Sequence, residues 1–132
     1  MNGKHLLDTS IIIELFAGDE NVVNQLETAE NIFIPCIAVG ELHYGARKSK
    51  RVEENLEKIE QLGSTSVVLS CDGETGYWYG IVKDKLRRIG HPIPENDIWI
   101  AALGLQFGLS VATRDKHFQQ VEVSSQKIVV SQ

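Results

Sequence analysis

The chain predicts an α/β domain with a central, mostly parallel sheet and helices on both faces. Three observations carry this. Short apolar runs alternate with longer amphipathic ones along the whole sequence, which is the pattern of βαβ units. The short runs are rich in Ile, Val and Leu, as strands covered on both faces must be. Finally, 132 residues with 42% apolar and 23% charged side chains suit one domain spanning residues 1–132, and a chain of this size buries about 68% of its unfolded surface without a disulfide or structural metal.

The strand candidates are His5 to Leu7, Asn31 to Ile34, Ser66 to Leu69, Leu109 to Thr113 and Lys127 to Val130. Ser10 is a cap for a first helix through Ala17, and Gly18-Asp19 stops it and starts a second running to about Glu30. Pro35 opens a third that continues to about Lys48. Val52, Leu56, Ile59 and Leu62 recur at helical spacing up to Gly63, with Glu53, Glu54, Glu57, Lys58 and Glu60 on the opposite side, so this is a surface helix. Asp72 is the expected N-cap of a helix to about Arg88, with Trp78, Val82 and Ile89 on its stripe and Gly90-His91-Pro92 at its end. After Pro94, the spacing of Ile98, Ala101, Ala102 and Leu105 marks the last helix, closed by Gly108.

The formal charge of −5 argues against a grip on nucleic acid or anionic lipid by the whole surface. Cys36 and Cys71 lie in apolar settings and read as buried free thiols in a reducing compartment. Asp8 interrupts the N-terminus before an apolar run reaches signal-peptide length, and no stretch is apolar for long enough to span a bilayer. The expected location is therefore cytoplasmic, without membrane attachment. Motifs for a nucleophilic serine, a P-loop, a dinucleotide fold or a zinc site are missing from the sequence.

In a sheet of this kind ligands sit beyond the carboxyl ends of the strands, and four acids fall where they can reach that rim. Asp8 follows the first strand and Asp115 the Leu109 to Thr113 run; helix capping is the competing explanation for each. Glu41 has Ile37, Ala38, Tyr44 and Gly45 as helical neighbours, none charged. It must be paired, protonated or cation-bound, unless it reaches water or Arg47 or Lys48. Asp97 lies in the first turn of its helix, where an acid is favoured in any case. Four like charges on one rim repel unless a divalent cation neutralises them. Mg²⁺ or Mn²⁺, with oxygen ligands and exchangeable waters, fits such a site and suits phosphodiester hydrolysis by activated water.

Four segments, Leu6-Leu7-Asp8-Thr9-Ser10, Val39 to Gly45, Asn96 to Ala102 and Thr113 to Phe118, together resemble the PIN-domain nucleases and, within them, the VapC-like toxins of toxin-antitoxin pairs. The resemblance implies a three-layer α/β fold and a Mg²⁺- or Mn²⁺-dependent endoribonuclease acting on RNA such as tRNA or rRNA. It also implies inhibition by a cognate antitoxin protein and association as a homodimer. It assigns the catalytic acids to Asp8, Glu41, Asp97 and Asp115. Asp8 and Asp97 would be the principal metal ligands, Asp115 would complete or bridge the site, and Glu41 would help hold the ion or position water. Thr9, Ser10, Asn96 and Thr113 would orient those carboxylates, and the products would carry 5′-phosphate and 3′-hydroxyl ends. A DNA-directed or structure-specific PIN nuclease and a non-catalytic partner-binding module are the alternatives.

Two basic runs are candidates for the RNA backbone: Arg47, Lys48, Lys50 and Arg51, and Lys83, Lys85, Arg87 and Arg88; Arg114 and Lys116 add charge beside Asp115. Both runs also fall where helix C-termini favour cations.

Overall fold

The computed structural model describes residues 4–27, 31–114 and, for the backbone, 128–130. Strands β1 (Lys4–Leu7), β2 (Asn31–Pro35), β3 (Val67–Leu69), β4 (Ser110–Thr113) and β5 (Ile128–Val130) form one sheet. Its order is β3-β2-β1-β4-β5 and every pairing is parallel. The chain starts in the middle of the sheet, steps outward through β2 and β3, then returns past β1 to β4. The order therefore reverses between β1 and β4, the place where such sheets leave a crevice.

The helices are α1 (Thr9–Phe16), α2 (Glu20–Glu27), α3 (Cys36–Arg47), α4 (Val52–Thr65), α5 (Gly73–Ile89) and α6 (Glu95–Phe107). Strand alternation sorts them into two layers. Leu7, Ile34 and Ala112 pack with Ile11, Ile12, Val22, Leu26, Ala38, Leu42 and Ile59 from α1 to α4. Their sequence neighbours Leu6 and Val111 point the other way, onto Val82, Leu86, Ile98, Ile100 and Leu103 of α5 and α6. Burying each large aliphatic side chain contributes about 1.5–3 kcal/mol. A polar substitution at the fully covered Leu6 or Leu7 would strike the core on one side of the sheet only. The α5 and α6 stops behave as expected, with Gly90 and Gly108 in the left-handed conformation at φ 70° and 65°.

Several sequence expectations need correction. The cap of α1 is Asp8, whose side chain accepts from the Ile11 backbone N–H, and Ser10 is already helical. Strand β2 runs one residue further, through Pro35. Helix α4 passes through Gly63 to Thr65, because the Ser64 and Thr65 hydroxyls donate back to the Gln61 carbonyl and complete the turn. On α5, Ile89 is 45% exposed, and the buried stripe is Thr75, Val82 and Leu86. The cysteines are not both buried: Cys36 is half-buried and Cys71 exposed, since β3 lies at the edge of the sheet. The proposed extension of α2 to Glu30, the start of the last strand at Lys127, and both Asp115 and Lys116 lie outside the described residues.

Candidate active site

The carboxyl ends of β1 and β4 meet at Asp8. Its backbone N–H donates to the Ala112 carbonyl at 3.2 Å, continuing the β1–β4 ladder by one residue. Its side chain is 3% exposed, and burial of a carboxylate is costly unless its oxygens find donors. They do: Oδ1 accepts from Ser10 Oγ at 2.7 Å and the Ile11 N–H at 3.0 Å, and Oδ2 accepts from Thr113 Oγ1. Asp8 is thus both a helix cap and a fixed carboxylate, so the two readings of this position coexist.

Glu41 approaches from α3. It is half-buried, and Thr9 Oγ1 donates to its Oε1 at 2.6 Å. Among the described residues it forms no ion pair with Arg47 or Lys48. Tyr44, expected to share an unsolvated face with it, is 68% exposed, whereas Ala38 is buried and Ile37 and Gly45 are half-buried. Asp97 comes from the first turn of α6, whose N-cap is Pro94.

These acids line one cleft of about 480 Å³ together with Thr9, Ser10, Ile13, Pro94, Glu95 and Asn96. Thr113 is fully buried behind Asp8. Among the described residues the lining contains four carboxylates and no Lys, Arg or His, and the N-termini of α1 and α6 add their partial positive charge. Among the described residues no three acidic, His or Cys side chains are gathered tightly enough to form a ready-made cation cage. Each acid is anchored on its own element: Asp8 on the sheet, Glu41 on Thr9, Asp97 on α6. The set fits a hard divalent ion in chemistry, because its ionisable donors are carboxylate oxygens.

Glu95 is the cleft residue that sequence reasoning missed. Its oxygens accept from Lys83 Nζ at 2.5 Å and Tyr79 OH at 2.6 Å, and Tyr79 stacks on Trp99 at 4.1 Å. Lys83 holds the Glu95 carboxyl below its usual range, with Tyr79 helping, and Glu95 raises the Lys83 ammonium in return. The available signal was Tyr79 and Lys83 four residues apart on one helix face.

The proposed RNA contacts divide. Arg47 and Lys50 are exposed, Lys48 lies 4.7 Å over the Tyr44 ring, and Arg51 pairs with Glu54. Arg87 and Arg88 both pair with Asp84, at 2.6 and 2.8 Å, while Lys85 is half-buried. Arg114 is engaged elsewhere: its guanidinium reaches Glu14 at 3.5 Å and Asp19 at 3.4 Å, and its side chain is only 27% exposed. It straps the end of β4 to the α1–α2 corner.

Comparison with known proteins places this fold and cleft. The PIN domain family model matches residues 5–123, so the chain belongs to the PIN-domain family. Within it the chain belongs with the VapC proteins. It is 32% identical to Ribonuclease VapC2 of Haemophilus influenzae, covering 89% of this chain and 92% of that protein. It is 31% identical, with the same coverage, to the tRNA(fMet)-specific endonuclease VapC of Shigella flexneri. The DNA-bound VapBC structure from Salmonella typhimurium superposes with a TM-score of 0.84 at 29% identity, covering 95% of this chain and 96% of that one. No helix among the described residues is long and apolar enough to cross a membrane.

Proposed function

We propose that the chain is a divalent-cation-dependent endoribonuclease and the toxin of a toxin-antitoxin pair, with RNA of the tRNA class as substrate. The observation that carries this is the cleft at the β1–β4 reversal. Asp8, Glu41 and Asp97 line it from three separate elements and present carboxylate oxygens to one space. The kinship with proteins named ribonuclease and tRNA-specific endonuclease supports RNA as the substrate. The VapBC complex among the structural relatives supports a protein antitoxin as partner.

Asp8 and Asp97 would hold Mg²⁺ or Mn²⁺, with Asp115 completing the set. The ion, when bound, supplies Lewis acidity toward water and phosphate oxygens. The chain supplies the rest. Ser10, Thr113 and the Ile11 N–H fix the Asp8 carboxylate, and Thr9 fixes Glu41 through Oε1, leaving Oε2 to take a proton from the attacking water. The hydroxyls of Thr9 and Ser10 are committed as donors to these acids, which leaves them poor protein nucleophiles, and the 5′-phosphate and 3′-hydroxyl ends expected of the products correspond to attack by water. Its oxygen bonds to phosphorus, the bond to the 3′ oxygen breaks, and that oxygen takes up a proton. The exposed Arg47 and Lys50 at the end of α3 are suited to phosphate contacts.

Incubating purified protein with a tRNA pool and Mg²⁺ or Mn²⁺ tests this. Discrete fragments are expected from wild type and none from Asp97→Asn. Fragments of equal yield from the variant, or cleavage of DNA but not RNA, would contradict the reading.

A further inference from the structure

The two cysteines lie outside the cleft and take no part in the proposed chemistry, yet the fold brings them together. Strands β2 and β3 are parallel neighbours with Pro35 opposite Leu69. Cys36 follows directly as the first residue of α3, and Cys71 stands two residues beyond β3, just before Asp72 caps α5. Their sulfurs are 3.7 Å apart although the residues are 35 positions apart in sequence. A disulfide needs about 2.05 Å between sulfurs, so closure requires the sulfurs to approach by roughly 1.7 Å. Cys71 is exposed, so a soluble oxidant meets it first, and the half-buried Cys36 stands beside it.

We infer that Cys36 and Cys71 form a reversible intramolecular disulfide, a thiol-modification site whose co-reactant is a low-molecular-weight disulfide such as oxidised glutathione. In the first exchange the Cys71 thiolate attacks one sulfur of the oxidant, expels one glutathione thiolate and becomes a mixed disulfide. The Cys36 thiolate then attacks Cys71 Sγ and expels the second glutathione thiolate. The two protons released by the cysteines end on the two glutathione thiols, so two protein thiols are oxidised and one glutathione disulfide is reduced. Burial, with Cys36 alongside, pushes the Cys71 thiol up to about 12, so the attacking thiolate is a minor species at neutral pH and the first exchange is slow and accelerates as pH rises. The bond would tie the base of α3, the helix that presents Glu41, to the segment leading into α5.

The test is intact-mass analysis of the full chain, equilibrated with oxidised glutathione and quenched with an alkylating agent. The expected product is a monomer lighter by about 2 Da, for the two hydrogens lost. It should carry no alkylated cysteine, give a peptide linking residues 36 and 71, and revert with dithiothreitol. Closing a loop of this length should raise the melting midpoint by about 10 °C. Cys36→Ser should stop at a stable glutathione adduct on Cys71, which separates pairing from mere thiol reactivity. Persistent glutathione adducts on both cysteines of wild type, a disulfide-linked dimer, or two thiols still fully alkylated at high oxidant would each overturn the inference.

Discussion

Asp8 caps α1 with one oxygen and accepts the Thr113 hydroxyl with the other, which sets the substitutions that separate chemistry from folding. Asparagine is as good an N-cap as aspartate. If Asp8 is a metal ligand as proposed, Asp8→Asn should therefore keep the melting midpoint close to wild type while RNA cleavage falls by on the order of 10²-fold or more; cleavage rates beside a thermal melt check this. Thr113→Val removes the hydroxyl behind Asp8 and leaves a buried carboxylate oxygen short of a donor. It should cost about 1–3 kcal/mol of stability and about 10–100-fold in metal affinity or activity, measured by calorimetry and by cleavage titrated with Mn²⁺. Asp8, Glu41 and Asp97 were legible in the sequence because each sits at a position fixed by one local element. Glu95 was not, because the partners that hold it at the cleft, Tyr79 and Lys83, lie 16 and 12 residues upstream on α5. The contacts of Arg114 were hidden for the same reason: its carboxylate partner Asp19 is 95 residues away in sequence. Nothing local distinguishes a strap from a phosphate contact.

At the scale of elements, helix α5 depends on its first turn. Asp72 accepts from the Thr75 N–H while Thr75 Oγ1 accepts from the Asp72 N–H, and Gln106 of α6 donates to the same Asp72 oxygen. The Thr75 N–H, then Gln106, hold the Asp72 carboxyl below its ordinary value of 3.8. A group lowered in the folded state contributes fully above its unfolded value and loses that contribution as pH falls through the folded one. Stability from this cap should therefore be intact at neutral pH and disappear below about pH 4. Asp72→Ala should lower the melting midpoint at pH 7 by about 2–4 °C and flatten the acid limb of the stability curve, whereas Asp72→Asn should flatten that limb alone. Arg114 acts between elements. If it straps β4 to the α1–α2 corner, Arg114→Met lowers thermal stability and leaves the salt dependence of RNA binding unchanged; a shallower salt slope would return it to the RNA contacts. Helix and strand order could be read from periodicity and capping residues. The ends could not, because the extension of α4 past Gly63 rests on hydroxyl-to-carbonyl bonds that composition does not reveal.

For the molecule as a whole, the net charge of −5 pointed away from nucleic acid, and the cleft explains why it misled. Four of the acids, Asp8, Glu41, Glu95 and Asp97, line one depression. Both arginines of the Lys83 to Arg88 run pair with Asp84, whereas Arg47 and Lys50 at the end of α3 are exposed. Parallel topology brings these acids together from β1, α3 and α6 by reversing strand order between β1 and β4, a relation visible only once the sheet is assembled. A ligand that binds only the folded state stabilises it, by about 2.7 kcal/mol at a hundred times its dissociation constant. Mn²⁺ should thus raise the wild-type melting midpoint and leave that of Asp97→Asn unmoved. The most direct measurement of the central claim is sequencing of RNA ends after incubation with wild type or Asp8→Asn, with the divalent ion present or chelated. The account predicts new ends with 5′-phosphates and 3′-hydroxyls for wild type with the ion alone. The same ends from Asp8→Asn, or from wild type under chelation, would contradict it.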